Sequence, residues 1–453
     1  MKNGVEIMTP YSKPKILIEP PGPKAKALIE RDHKVLSPSL SRTASLVGEE
    51  AQGVWIKDLD GNVFLDFGAG IAVANVGHCH PDVSQAIVSQ ATKCDHVNSC
   101  DYYTIPQVEF AESLQKQMPE GGPYRFFFGN SGSEAVECAI KLARYHSKRQ
   151  YFIGYIRGFH GRTIGSLTFT STSNSARKHF GPLMPGVYHA PYPYCYRCPM
   201  GNEDRKCDMA CLHYIEDQIL KYLVNPQEVA GVILEPILGA GGYVVPPDGY
   251  WQKLRKLCAE NGILFIADEV QTGFGRTGKM WATEHWDLKP DVMCMSKAVA
   301  AGLPLGICAA KSSVMDWDEG AHENTLGGNP IIMSAAKAVL NVITKEKLVE
   351  NSKKVGDYMR KRFAEMSDNV ELIGDVRGMG LMIGIELVTD RKTKQPATKE
   401  RDRLIDETFK KGLLLLGAGP SAIRLAPPLV LTREQADMGI EIFEKSIKQV
   451  SNQ

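Results

Sequence analysis

ILFIADE, residues 263–269, is a near-continuous apolar run that ends in two carboxylates. Runs of this kind are typical of strands that are buried on both faces of a parallel sheet. Segments with the amphipathic pattern of helices separate it from similar runs at YRFFF (124–128), YFIGYI (151–156), VAGVILEPI (229–237), DVMCMS (291–296) and LGICAA (305–310). This alternation predicts an α/β domain built around a mostly parallel sheet.

The two ends of the chain follow different patterns. Residues 1–40 are rich in Pro and Lys and predict an extended arm, of the kind that often lies on a partner subunit. Residues 54–67 alternate around Asp60-Gly61-Asn62, which is a β-hairpin signal. The tail offers strand-like segments at VELIGDVRG (370–378), GLMIGIELV (380–388) and AIRLAPP (422–428). We therefore predict three parts: an arm and part of a small domain (1–74), a large domain (75–344) and a C-terminal small domain (345–453).

Composition narrows the function classes. The chain has 453 residues and a formal net charge of +1, so no long-range field favours nucleic acid or an anionic membrane. The N-terminal residues lack a signal-peptide pattern, and no apolar stretch approaches the roughly 20 residues of a membrane span. We expect small molecules and further copies of the chain as partners, and a cytoplasmic location.

Reactive residues are expected where strands end, because ligands of open α/β sheets bind beyond the carboxyl ends of the strands. YRFFF is followed by the small residues 129–133 and by a helix that begins near Glu134. Small residues let backbone N–H groups approach an anion, and the N-terminus of the helix adds positive partial charge. The segment predicts a phosphate cradle, and the alternative is a Ser-rich helix cap.

Two further strand ends carry a carboxylate and a lysine. Asp268 closes one apolar strand, and Lys297 follows the next one after Ser296. A buried carboxylate requires a cationic partner, and a protonated pyridine nitrogen of pyridoxal 5'-phosphate (PLP) is such a partner. Burial lowers the pKa of a lysine and frees its amine for imine formation. Each residue alone has a structural explanation, but their order across successive strands favours a PLP site.

A fourth strand end carries YIRGFHGRT, residues 155–163. Phe159 can lie flat on a cofactor ring, and Arg162 can hold a carboxylate in a fork. His160 suits an orienting or packing position, and we assign it no catalytic role.

These motifs resemble those of class III PLP-dependent aminotransferases over nearly the whole chain. The resemblance is greatest to archaeal 4-aminobutyrate and ornithine ω-aminotransferases and to related broad-substrate amino acid racemases. It implies the PLP-dependent transferase fold of type I, and SKAVAAGLPLG departs from the family in having alanines where a Leu-Gly-Gly run is usual. The matching stretches are VWIKDLDGNVFLDFGAGIAVANVGHCHP (54–81), GNSGSEAVE (129–137), GFHGRT (158–163), LEPILGAGGYVVPPDGY (234–250), DEVQTGFGRTGKMWA (268–282), SKAVAAGLPLG (296–306), TLGGNP (325–330) and VRGMGLMIGIEL (376–387).

The resemblance also implies roles around the cofactor. Lys297 and Asp268 are the catalytic residues: Lys297 holds PLP as a Schiff base and moves protons, and Asp268 pairs with the pyridine nitrogen. Thr325 completes the phosphate site of a neighbouring subunit, so the family implies a homodimer, or a dimer of dimers, with shared active sites. The remaining cofactor contacts are Gly132 and Ser133 at the phosphate, Phe159 and Val270 on the ring, and Gln271 at the phenolic oxygen.

The same resemblance implies a reaction and a substrate site. Arg424 holds the α-carboxylate, Glu235 pairs with Arg424 when the donor has no carboxylate there, and Arg162 holds the distal carboxylate. The expected reaction moves an amino group from an ω-amino donor, such as 4-aminobutyrate or ornithine, to 2-oxoglutarate. Racemisation of amino acids is the alternative, because it uses the same lysine, aspartate and phosphate site.

The cysteines divide into a cluster and a scattered set. Cys195, Cys198, Cys207 and Cys211 are spaced as C-x2-C-x8-C-x3-C, which fits zinc, disulfides or free thiols equally. We assign no metal site, and a zinc-stabilised binding module is the rival from another class of protein. The scattered cysteines are predicted to be small buried hydrophobes: Cys79, Cys94, Cys100, Cys138, Cys258, Cys294 and Cys308.

Overall fold

A computed structural model describes residues 11–201 and 208–451. Its largest sheet has seven strands in the order β4-β10-β9-β8-β7-β5-β6, and only β10 runs antiparallel to its neighbours. The strands of the chain are β1 Gly48–Gln52, β2 Trp55–Asp58, β3 Val63–Asp66, β4 Tyr124–Gly129, β5 Tyr151–Tyr155, β6 Val187–Ala190, β7 Val229–Leu234, β8 Leu264–Asp268, β9 Val292–Met295, β10 Gly306–Lys311, β11 Ile373–Met379, β12 Met382–Asp390, β13 Gln395–Pro396, β14 Leu413–Leu414, β15 Leu416–Ala418 and β16 Ala422–Leu425.

Helices cover the sheet and connect its strands. The helices are α1 Pro23–Val35, α2 Pro81–Ala91, α3 Ile105–Gln115, α4 Gly132–Ser147, α5 Ile164–Phe169, α6 Ala210–Tyr214, α7 Tyr250–Asn261, α8 Pro330–Lys345, α9 Leu348–Ser367, α10 Thr398–Lys410 and α11 Arg433–Ser451. A π-helical segment, Ile215–Leu223, continues α6. Within the described ranges, no helix is long and apolar enough to cross a membrane.

The predicted α/β architecture is confirmed, with one strand more than the apolar runs indicated. All six runs form strands of the large sheet, which is mostly parallel as expected. The additional strand is β6, a sheet-edge strand whose sequence VYHA is only partly buried and therefore carries no apolar run. β10 is the one antiparallel member, which its sequence did not reveal because burial looks the same in either direction.

The N-terminal hairpin and the C-terminal tail share a sheet. β2 and β3 pair antiparallel, as predicted, and β14 of the tail adds to β3 in parallel. The tail also forms a sheet of β11, β12, β16 and β15, with β13 beside β12. This pairing agrees with a small domain built from both ends of the chain, and the domain boundaries at residues 74 and 344 stay predictions.

The cysteine segment docks onto the sheet of the tail. Tyr194 Oη donates a 2.7 Å bond to Glu386 Oε2 on β12, and Arg197 Nε donates a 2.9 Å bond to Glu386 Oε1. Cys207 lies outside the described residues, so the three interpretations of the cysteine cluster stay open. The described residues contain no group of three or more His, Cys, Asp or Glu side chains arranged to hold a metal.

The prediction for the scattered cysteines is only partly correct. Cys138, Cys258, Cys294 and Cys308 are buried, as expected, but Cys94 is only partly buried, and Cys79 and Cys100 are exposed. Cys79 and Cys100 lie in turns rather than in apolar strands. Cys79 has a positive φ of 49°, and the thiol of Cys100 donates to the carbonyl oxygen of Asn324.

Candidate active site

The carboxyl ends of β4, β5, β7, β8 and β9 open into a cavity of about 580 Å³. The sheet brings these ends together because the five strands run in the same direction. Ten residues that the sequence singled out line this cavity: Gly132, Ser133, Phe159, Arg162, Glu235, Asp268, Val270, Gln271, Lys297 and Arg424.

Lys297 follows β9 after one residue, Ser296, and has an unusual backbone conformation. Its φ is +47°, a left-handed value that non-glycine residues rarely adopt and that clusters at functional sites. Burial lowers the pKa of the Lys297 amine, Arg424 lowers it further, and the charges of Asp268 and Glu235 oppose the shift. A lysine with a lowered pKa has more of the neutral amine that nucleophilic attack requires.

Asp268 ends β8 and is held from two sides. Its Oδ2 lies 2.7 Å from His160 Nδ1, and its Oδ1 accepts a 3.1 Å bond from the Val270 N–H. Burial alone lowers the pKa of His160, but the hydrogen bond to Asp268 and the charges of Asp268 and Glu235 outweigh it, and the pKa is raised. His160 therefore orients Asp268, a function that the sequence analysis left undecided between orienting and packing.

The predicted phosphate cradle begins a helix. α4 starts at Gly132, and Ser131 Oγ caps it by accepting a 3.2 Å bond from the Glu134 N–H. The first backbone N–H groups of a helix have no partner within it, so those of Gly132 and Ser133 are available to an anion in the cavity. A Cβ on Gly132 would stand 3.1 Å from Val270 Cγ1, a tight contact that would push Val270 aside by a few tenths of an ångström.

Gln271 supplies a polar atom that no described residue satisfies. Its Oε1 is buried without a hydrogen-bond partner, although buried amide groups are nearly always bonded. The O and N atoms of an amide are assigned from their bonding, so either end of this amide can face a ligand. With the carboxylate, the lysine and the helix N-terminus, this group completes a pocket that fits a phosphorylated pyridine ring.

The substrate side of the cavity contains Arg424 and Glu235. The Nε of Arg424 is buried and has no hydrogen-bond partner. Glu235 does not pair with it: its carboxylate accepts 2.8 Å bonds from the N–H groups of Phe159 and Gly239. Arg162 is exposed at the cavity, with its guanidinium 5.5 Å from the centre of the Phe159 ring.

The loop of Thr325 and the segment that follows the predicted N-terminal arm lie differently with respect to this cavity. Thr325 is exposed and does not line this cavity, which leaves its expected contact with a neighbouring subunit untested. Ser41 and Thr43 do line it, so the N-terminal segment reaches the active-site cavity of its own chain. Sequence reasoning missed both residues because polar side chains in an irregular segment carry no periodic signal.

A left-handed turn, Ala69–Ala72, forms another part of the wall and was also missed. The φ values of its residues are 45°, 60°, 67° and 58°. This conformation costs roughly 1–2 kcal/mol for each residue other than glycine. Gly70 and Ile71 line the cavity, and Val73 follows them there.

Comparison with known proteins agrees with this geometry. Residues 37–447 match the family model described as aminotransferase class-III. The chain belongs to the class-III aminotransferases. It is 39% identical over 442 residues to an alanine/serine racemase of Pyrococcus horikoshii, covering 96% of this chain and 93% of that one. It is 38% identical over 413 residues to a probable 4-aminobutyrate aminotransferase of Bacillus subtilis, covering 90% and 93%.

Solved structures extend the likeness to the cofactor. An amine transaminase from an uncultivated Pseudomonas species, solved in its PLP-bound form, matches this class-III aminotransferase with a TM-score of 0.84 and 32% identity, covering 92% of this chain and 98% of that one. The chain is thus a PLP-dependent transaminase of fold type I, as the sequence predicted.

Proposed function

We propose that Lys297 is the residue that binds PLP covalently and moves the proton during the reaction. When bound, PLP supplies an electron sink that stabilises negative charge on the carbon that loses a proton. The Lys297 amine, freed when the substrate amine takes its place, removes that proton as a general base. Its lowered pKa supports this role, because a base must be neutral to accept a proton.

The neighbouring residues orient the cofactor. Asp268 keeps the pyridine nitrogen protonated, with His160 fixing the carboxylate from behind. The N–H groups of Gly132 and Ser133 bind the phosphate at the N-terminus of α4, and the amide of Gln271 reaches the phenolic oxygen. Phe159 and Val270 hold the two faces of the ring.

The reaction we propose moves an amino group from an ω-amino donor, such as 4-aminobutyrate or ornithine, to 2-oxoglutarate. The observation that carries it is the buried, unpartnered Nε of Arg424 in the same cavity as Glu235. Arg424 binds a carboxylate when the ligand offers one there, and Glu235 compensates its charge when the ligand does not. Arg162 binds the distal carboxylate of the keto acid.

Amino acid racemisation is the second candidate, and one observation favours it. The carboxylate of Glu235 is held by two backbone N–H groups rather than by Arg424. Every substrate of an amino acid racemase carries an α-carboxylate that Arg424 can bind. Such an enzyme therefore does not need Glu235 as an alternative partner for Arg424. The alanine/serine racemase named above is as similar in sequence as the probable 4-aminobutyrate aminotransferase.

A homodimer with shared sites completes the proposal. The loop that contains Thr325 adjoins residues 99–100, because Ser99 Oγ donates to the carbonyl oxygen of Gly327 and the Cys100 thiol to that of Asn324. Exposed apolar side chains follow directly: Tyr102, Tyr103, Ile105 and Val108. An exposed apolar patch of this kind is typical of a protein interface, and Thr325 lies beside it.

One experiment separates the two reactions. Purified protein is incubated with L-ornithine, 4-aminobutyrate and single-enantiomer leucine, with and without 2-oxoglutarate, and the products are resolved by chiral chromatography. Amino transfer consumes the ω-amino donors only when 2-oxoglutarate is present. Formation of the opposite leucine enantiomer without a keto acid, and no turnover of the ω-amino donors, would replace our proposal with the racemase.

A further inference from the structure

The left-handed turn Ala69–Ala72 is an unusual way to build the wall of a cavity. Only one of its four residues is glycine, and Ile71, with φ of +67°, is β-branched. A β-branched residue in this region is a genuine outlier. Backbone strain of this kind persists only where the surrounding structure enforces it, and it concentrates at ligand sites.

A buried carboxylate enforces the turn. Asp66 Oδ1 accepts bonds from the N–H groups of Gly68 at 2.8 Å and Ala69 at 2.9 Å, and its Oδ2 lies 2.8 Å from His78 Nε2. Asp66 is 2% exposed and does not line the cavity. The turn closes through the Ala72 N–H, which donates to the carbonyl oxygen of Gly68.

The turn divides its side chains between the core and the cavity. Ala69 and Ala72 are buried, whereas Ile71 lines the cavity and is 45% exposed. Packing therefore does little to fix Ile71, and the backbone conformation decides where its side chain stands. Because the direction of a Cβ follows from φ and ψ, a right-handed turn would aim this side chain elsewhere.

We propose that Asp66 is a positioning residue for substrate specificity. It holds the left-handed turn, the turn holds Ile71 at the cavity, and Ile71 packs against the aliphatic part of the substrate and limits its size. The substrate class that follows is an amino acid whose aliphatic chain contacts this wall. The inference rests on the proposed function in one respect, because it takes the cavity as the substrate site.

The chain offers a matched control for Asp66. Asp58 is equally buried, at 2% exposed, and accepts bonds from the N–H groups of Asp60 and Asn62 and from the Asn62 side chain, but it lies outside the cavity. Asp66→Ala and Asp58→Ala should both lower the melting temperature. Only Asp66→Ala should change the ratio of kcat/KM for leucine to kcat/KM for alanine, by about tenfold toward leucine, mainly through KM.

Ile71→Gly tests the wall itself without removing the buried carboxylate. It should change the leucine-to-alanine ratio in the same direction and by a similar factor, with no loss of thermal stability, because glycine adopts a positive φ without strain. The double variant Asp66→Ala/Ile71→Gly should change the ratio no further than either single variant. Lys148→Gly is the control for replacing a residue of positive φ with glycine outside the cavity, and it should leave the leucine-to-alanine ratio unchanged. Lys148 has φ of +58° at the C-terminal end of α4 and does not line the cavity.

The outcomes distinguish this inference from the proposed function. A wild-type enzyme that acts on none of 4-aminobutyrate, ornithine, leucine and alanine, with or without 2-oxoglutarate, would overturn the proposed function and the specificity inference with it. A wild-type enzyme that acts on the ω-amino donors but on neither leucine nor alanine would overturn the specificity inference alone. If Ile71→Gly has the same leucine-to-alanine ratio of kcat/KM as the wild type, the inference alone is overturned. The same conclusion follows if Asp66→Ala and Asp58→Ala change that ratio equally. If Asp66→Ala does not fold, Ile71→Gly decides the outcome.

Discussion

His160 Nδ1 lies 2.7 Å from Asp268 Oδ2, and both side chains are buried. A carboxylate only accepts hydrogen bonds, so the proton of this contact belongs to Nδ1. The second oxygen of Asp268 accepts from the Val270 N–H, and the carboxylate is thereby fixed in both position and orientation. Preorganised charge of this kind is the largest single contribution in many active sites.

Asp268→Asn should therefore lower kcat about 10²–10³-fold, which corresponds to roughly 2.7–4 kcal/mol for one preorganised partner. The physical reason is that the amide no longer keeps the pyridine nitrogen protonated. Single-turnover rates measure the effect. Glu269→Gln is the matched control, because Glu269 is buried next to Asp268 but accepts bonds from Ala282 and Thr283 outside the cavity. Near-normal turnover in Asp268→Asn would make Asp268 a structural residue.

His160 should act through Asp268 rather than on the substrate. His160→Ala leaves the carboxylate without its partner, and we expect about a tenfold loss of kcat with little change in KM. His160→Asn, which retains a donor, should recover part of the loss. The pH profile of the cofactor absorbance should be shifted in His160→Ala relative to the wild type. An unchanged profile would argue that His160 is only a packing residue.

Much of the fold follows from the pattern of apolar residues, but some of it does not. β8 and β9 are buried along their whole length and are plain in the sequence. β6 lies at the sheet edge, where partial burial removes the signal. The turn at residues 69–72 was not predicted either, since Ala-Gly-Ile-Ala has no preference for left-handed backbone. Its conformation depends on the hydrogen bonds that the buried carboxylate of Asp66 accepts from the N–H groups of Gly68 and Ala69.

The site was predictable to a similar degree. Lys297, Asp268 and Gly132 follow strands, so their order along the chain places them at one edge of the sheet. The bond between His160 and Asp268 joins a loop to the end of β8, 108 residues further along the chain, and only the folded chain shows it. The carboxylate of Glu235 was expected to alternate between partners, and its bonds to Phe159 and Gly239 were not foreseen.

Glu235 should make the choice of donor depend on pH. Burial raises the pKa of Glu235 to about 7, opposed by the charge of His160. Below this pH the acid is mostly neutral and cannot compensate Arg424, and above it the carboxylate can. The ratio of ω-donor to α-donor half-reaction rates, followed by the absorbance change of the cofactor, should therefore rise from pH 6 to pH 8.

Glu235→Gln provides the control for this prediction. The ratio of ω-donor to α-donor half-reaction rates should be lower in Glu235→Gln than in the wild type, because ω-donors lose the charge that compensates Arg424. The α-donor glutamate supplies its own carboxylate and does not need that charge. The ratio should also be independent of pH. An equal ratio with an equal pH slope in both proteins would defeat the exchange of partners at Arg424 and would strengthen the racemase candidate.

Thr325 should act on the partner's cofactor if the proposed dimer is correct. Thr325→Ala and Lys297→Ala should each lose activity as homodimers, the first through weaker PLP binding. Co-expression of the two variants should restore activity, because a mixed dimer contains one site with both Lys297 and an intact Thr325. Absence of rescue in verified mixed dimers would place Thr325 in its own chain's site or outside any site.

The most direct measurement concerns Lys297. The holoenzyme is reduced with borohydride, digested and mapped by mass spectrometry, so that the residue bound to the cofactor carries a stable pyridoxyl mass. We expect that mass on the peptide containing Lys297, and no turnover in Lys297→Ala even where PLP still binds noncovalently. A pyridoxyl group on any other lysine would contradict the assignment of the active site.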